Sequence, residues 1–194
     1  MAKAIQIIHD EHRSFAAVLN GLLSVIEGIR EGKMQPDFSL LKAMLHYIVE
    51  FPEKVHHPKE DQYLYRLLRQ RDAGIVPLLD ELEREHVRGR ALVLQLEQAI
   101  ERYEAQGAAG FAEFSAVVSG YAEFHWAHML KEEKQILPVA ETALRAEDWA
   151  EIDQAFLSNA NPLVGADSRR EFRELFRQIV NLAPAPIGVG GSGS

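Results

Sequence analysis

Four stretches of this chain repeat apolar residues at helical spacing, and in three of them the apolar stripe carries a group that does not belong in oil. The first runs Ile5, Ile8, His12, Phe15, Leu19, Leu22, Ile26 and Ile29, stopping near Gly32. The third runs Ile75, Leu79, Leu82, His86, Gly89, Val93, Leu96 and Ile100, with Gly107 just beyond. The fourth runs Phe111, Phe114, Val118, Tyr121, His125, His128, Glu132, Ile136 and Val139. A histidine alone in such a register is ordinarily a satisfied core residue. A carboxylate there is harder to explain, because a buried unpaired charge costs several kcal/mol. Polar groups on the inner faces of several helices need a common partner, and a bound cation supplies one.

The second stretch is less regular. It begins at Asp37, placed to cap a helix, and passes Leu41, Leu45, Ile48 and His56 to about Arg69. Pro52 and Pro58 remove backbone donors and predict a kink or a break. Connections near residues 32–37, 71–76 and 106–110 are short, which favours antiparallel neighbours. The expected fold is therefore all-α: an up-down-up-down four-helix bundle with two short extra helices towards the C-terminus, at residues 148–157 and 168–181. Residues 1–182 read as one domain and the Pro/Gly/Ser-rich residues 183–194 as a flexible tail.

Composition narrows the chemistry. The chain has no cysteine, so disulfides, thiolate metal sites, iron–sulfur clusters and cysteine nucleophiles are excluded. A net charge of −8 argues against nucleic acid and anionic membranes as partners. No run of about 18 apolar residues predicts a membrane span. The first dozen residues mix charge and histidine, unlike a secretory signal, so a cytoplasmic location is expected. Any metal must be held by histidine, aspartate and glutamate, and there are eight histidines to choose from.

Spacing singles some of them out. His56-x-x-x-Glu60 and His128-x-x-x-Glu132 each set an imidazole and a carboxylate one turn apart on one helix face. One such pair is ordinarily a surface ion pair. Two pairs, together with His12 and His86 in core register, point to two carboxylates facing each other across the core and bridging two cations. Imidazole and carboxylate ligands without sulfur suit iron or manganese, and zinc also fits.

The stretches IIHDEHRSF, HHPKEDQYLY, LEREHVRG and HMLKEEKQILP, in that order, resemble the hemerythrin-like (HHE cation-binding) family over roughly residues 5–145. The resemblance implies a four-helix bundle around two iron ions, ferrous or ferric and oxo- or hydroxo-bridged. It makes His56, His86 and His128 terminal ligands and Glu60 and Glu132 bridges. On the first helix both His9 and His12 are candidates. The third helix departs from the hemerythrin pattern, having His86 alone where two ligands a turn apart are expected. His9, His125 or His57 could make up the difference, or a coordination position stays open. His125 reads better as a pocket residue. His57 points about 100° away from His56 on a regular helix, although Pro58 can distort that. His46 lies off the constellation, while Glu133 and Asp61 read as solvent-facing partners of lysine or arginine. Tyr121, Phe124 and Trp126 read as packing residues. The implied function is binding, sensing or reduction of dioxygen, peroxide or nitric oxide. An iron- or oxygen-responsive interaction module without turnover is the alternative, and cluster repair is a minor option. A homodimer through the last helices is also compatible.

Overall fold

The computed structural model describes residues 2–158, and these are helical almost throughout, with no strand among them. Helix α1 spans Lys3–Arg30. It ends at Gly32, whose φ of 69° suits glycine, with the amides of Gly32 and Lys33 bonding back to Ile29 and Gly28 oxygens at 3.0 and 2.9 Å. The second helical run, α2, covers residues 38–71. Asp37 does cap it, its side chain accepting from the Leu40 amide at 3.0 Å. Helix α3 is Val76–Gln106, and α4 covers residues 111–143. The connections fall where the sequence places them.

Pro52 and Pro58 do not break α2. The chain instead widens into turns of i→i+5 hydrogen bonding over Val49–His56 and again over Glu60–Tyr65. A proline has no amide to donate, and its ring crowds the carbonyl four residues back, so a wider turn lets the helix continue. The His57 amide, for example, bonds to the Pro52 oxygen. Helix α4 widens in the same way over Glu132–Ile136, just before Pro138. Both HxxxE segments therefore run into wide turns at their glutamates.

Helix α5, Ala146–Leu157, starts two residues earlier than the sequence suggests. The reason is local: Asp148 sits inside its first turn and its carboxylate accepts from the Arg145 amide at 2.9 Å. Asp148 also takes a two-pronged bond from Arg71, at 2.7 and 2.8 Å. Asp153 accepts from the Ala4 amide at 2.7 Å, satisfying a donor that α1 leaves free at its start. Ile152 and Phe156 are buried, so α5 lays its apolar face on α1 and α2. The helix expected at residues 168–181 and the tail at 183–194 lie outside the described residues.

Apolar side chains form two separate cores. One gathers Phe15–Ile26 of α1, Leu40–Phe51 of α2, Val93–Tyr103 of α3 and Phe114–Ala122 of α4. The other gathers Ala4–Ile8, Leu64–Leu68, Leu79–Leu82, Ile136–Ala140 and the inner face of α5. On each of the four long runs, the residues between those two blocks include histidines or glutamates. No helix among the described residues is long and apolar enough to cross a membrane.

Candidate metal centre

Between the two cores, all four long runs send imidazole or carboxylate groups inward. His12, His56, His57, Glu60, His86, His128 and Glu132 are each no more than 4% exposed. The imidazoles of His12 and His56 meet with their Nε2 atoms 3.2 Å apart, and those of His86 and His128 meet at 3.0 Å. Glu60 lies between the two pairs. Its Oε1 is 3.1 Å from His56 Nε2 and 3.9 Å from His12 Nε2, and its Oε2 is 3.5 Å from His86 Nε2. Glu132 Oε2 spans the same gap, 3.3 Å from His12 Nε2 and 3.5 Å from His128 Nε2. Its other oxygen accepts from the Tyr65 hydroxyl.

The outer nitrogen of every ring in those pairs is engaged. His12 Nδ1 bonds Glu133 at 3.0 Å, and His56 Nδ1 bonds Glu11 at 2.7 Å. His86 Nδ1 bonds Asp61 at 2.8 Å, and His128 Nδ1 bonds Glu85 at 3.0 Å. An ionised carboxylate can only accept, so each Nδ1 carries a hydrogen and each Nε2 is turned inward. The arrangement fixes the tautomer and raises the basicity of the inner nitrogen, as around metal-ligating histidines generally. These acids also close a circuit. Glu11 of α1 holds the α2 histidine, Asp61 of α2 holds that of α3, Glu85 of α3 holds that of α4, and Glu133 of α4 holds that of α1.

Inner lone pairs facing each other at 3.0–3.2 Å repel. A cation bound about 2.0–2.1 Å from each would turn both contacts into chelates. Both Glu60 oxygens and Glu132 Oε2 are buried without a hydrogen-bond partner among the described residues. Six of these groups thus fit cations, in two sets whose ligand atoms lie within 4.8 Å of one another: His12, His56 and Glu60, and His57, Glu60, His86 and His128. Glu60 belongs to both.

Without a cation, protons are drawn to the same place. Burial works against the charged form of His12, but the neighbouring carboxylates of Glu132 and Glu133 override it and raise its pKa to about 9. His56 and His86 are raised in the same way, burial being outweighed by Glu60 and Glu11 for the first and by Asp61 and Glu60 for the second. Glu132 moves down, its burial outweighed by His128 and His12. Metal loading must displace these protons.

Several sequence expectations change here. His57, whose role the sequence leaves open, is buried and stacks on His86 with ring centroids 4.3 Å apart. The wide turns of α2 bring two adjacent histidines to the same interior, and His57 joins the set that α3 leaves short. His9 is not brought in: its side chain is 35% exposed and its Nδ1 lies 3.5 Å from Glu133 on the rim. His125 is buried beside the centre but belongs to neither set. His46 is exposed on α2. Glu133 and Asp61 do not serve lysine or arginine but hold His12 and His86. Glu11 and Glu85 were missed altogether. A signal for them exists, since an acid directly adjoins a core-register ligand in Glu11-His12, Glu60-Asp61, Glu85-His86 and Glu132-Glu133.

A family model, the hemerythrin HHE cation binding domain, matches residues 3–140. No curated protein and no solved structure matches the chain.

Proposed function

Because the chain belongs to the hemerythrin HHE cation-binding family, we propose that it is a non-haem di-iron protein that binds, senses or reduces dioxygen, peroxide or nitric oxide. The observation that carries this reading is the pair of inward-facing imidazole contacts, with Glu60 set between them and each of its oxygens turned to a different pair. His12 and His56 would hold one iron, His57, His86 and His128 would hold the other, and Glu60 and Glu132 are placed to serve both. Iron would supply coordination positions for a small ligand and a ferrous/ferric couple.

The protein's own part is to hold that ligand set. Four acids keep the ring nitrogens of His12, His56, His86 and His128 aimed inward, and Tyr65 fixes one oxygen of Glu132. The two apolar cores limit water on either side, which tunes affinity and redox potential. Phe156 of α5 lies edge-on to His56 at 6.4 Å and closes that flank.

The reading includes an antiparallel up-down-up-down bundle. Its support is the order of the cores along the chain. The core containing α5 takes the N-terminal ends of α1 and α3 and the C-terminal ends of α2 and α4. A cytoplasmic location belongs to the same reading.

Elemental analysis of full chain purified without a metal-affinity column tests it: two irons per chain are expected, and one zinc would overturn it. Anaerobic ferrous loading followed by dioxygen, peroxide or nitric oxide should change the near-ultraviolet absorption with at least one of the three. A spectrum unmoved by all of them would also overturn it.

A further inference from the structure

Buried polar atoms remain once the metal centre has been assigned. Glu53 lies one turn before His57 on α2, and Tyr121 and His125 lie one turn apart on α4. All three are buried. Both oxygens of Glu53, the Tyr121 hydroxyl and both ring nitrogens of His125 lack a hydrogen-bond partner among the described residues. Such atoms are uncommon in folded proteins, because each has given up a bond to water without replacement. These five share one small region. Glu53 Oε2 is 3.6 Å from His57 Nδ1. The His57 and His125 rings are parallel at 6.0 Å, and the Tyr121 and His125 centroids are 4.4 Å apart.

Helix α3 passes this region at Gly89. A Cβ there would lie 3.3 Å from Glu53 Oε1 and 3.5 Å from His125 Nε2. Glycine is disfavoured in mid-helix, so its presence at a buried turn calls for a reason. Glycine leaves the space over its Cα open towards both the carboxylate and the imidazole, whereas a methyl would press on both and satisfy neither. A further cation does not suit the region. The two sets of converging ligand atoms found among the described residues include neither Glu53 nor His125. Dioxygen and nitric oxide could accept from Tyr121 or His125 but bring no hydrogen for the Glu53 carboxylate. A hydroxylic molecule brings donors and acceptors together.

We infer that Gly89 floors a binding site for one small hydroxylic molecule, water in the resting protein and hydrogen peroxide when present, held by Glu53, His125 and Tyr121 beside the metal centre. Its use depends on the di-iron reading above, and it makes peroxide the ligand this chain concentrates next to its metals. The site itself requires no iron.

The test uses full chain labelled with nitrogen-15 histidine and loaded with zinc, which has no redox chemistry. Hydrogen peroxide is titrated while the His125 ring resonances are followed, assigned by their loss in His125→Gln. Wild type should shift saturably. Gly89→Ala should not shift while keeping its zinc content, and Glu53→Gln should bind about fivefold or more weakly, the worth of one hydrogen bond. If Gly89→Ala fails to fold, Glu53→Gln carries the comparison. A wild type that does not shift, variants that shift like wild type, an equal response to dioxygen, or a third zinc held at these residues would overturn the inference. Repeating the titration on metal-free chain separates the two proposals. Absence of metal binding with an intact peroxide response sinks the di-iron reading alone, and two metals with no response sink this one alone.

Discussion

Replacing Glu11 by glutamine should loosen one of the two proposed cations and leave the other in place. Glu11 Oε2 lies 2.7 Å from His56 Nδ1, with both residues buried. The substitution keeps the shape but removes the charge that makes the inner nitrogen of His56 a strong donor. Losing a partner of this kind lowers metal affinity about 10- to 100-fold, roughly 1.4–2.7 kcal/mol. The short contact and complete burial place Glu11 towards the upper end. Glu85 sits 3.0 Å from His128, is only partly buried and shares its charge with Lys131. Glu85→Gln should therefore cost nearer tenfold, and on the other cation. Competition with a coloured chelator should show two steps in each variant, one displaced and one as in wild type. Glu113→Gln, on an exposed residue bound to Arg102, serves as the control. If both steps move together in Glu11→Gln, or neither does, the assignment of separate histidine pairs to separate cations is wrong.

Metal affinity should rise with pH between about 6.5 and 9, because His12, raised to about 9, holds a proton that the cation must displace. The metal-free fold should show the opposite trend. The folded state binds that proton more tightly than the unfolded chain, so the contribution is complete below 6.5 and lost as pH rises through about 9, as thermal melts across this range would show. Tyr65→Phe leaves Glu132 Oε1 without its donor and should destabilise the metal-free protein by about 1–3 kcal/mol in urea titration. Replacing Glu60 alone by leucine should abolish binding of both cations, since Glu60 belongs to both sets, yet leave the metal-free chain as stable or up to about 2 kcal/mol more so, because its buried oxygens have no hydrogen-bond partner among the described residues. Calorimetry checks this, and a strongly destabilised variant would speak against a cation as the partner of this carboxylate.

Much of this centre is legible in the residue order. His12, His86, His128 and Glu132 declare themselves by occupying positions that helical spacing reserves for apolar side chains, and Glu60 follows from its spacing to His56. The rest is hidden for equally physical reasons. Counting residues at 100° each assumes one kind of turn, and the wide turns around Pro52, Pro58 and Glu60 break that assumption. The face that His57 takes therefore cannot be read by such counting. His9 looked plausible because it lies one turn from His12, but it falls towards the rim. The acids that hold the rings belong to a neighbouring helix in every case, so no single-helix pattern could pair them. Only their adjacency to ligands betrays them.

The circuit of acids has a consequence for assembly. Builders know the reciprocal frame, in which each beam rests on the next and none stands until the last is laid. Here α1 steadies α2, α2 steadies α3, α3 steadies α4, and α4 returns the favour to α1. No fragment holding three of the four can orient every imidazole. High-affinity metal capture should thus appear only once the whole ring has closed, making cation uptake a signal that folding is complete.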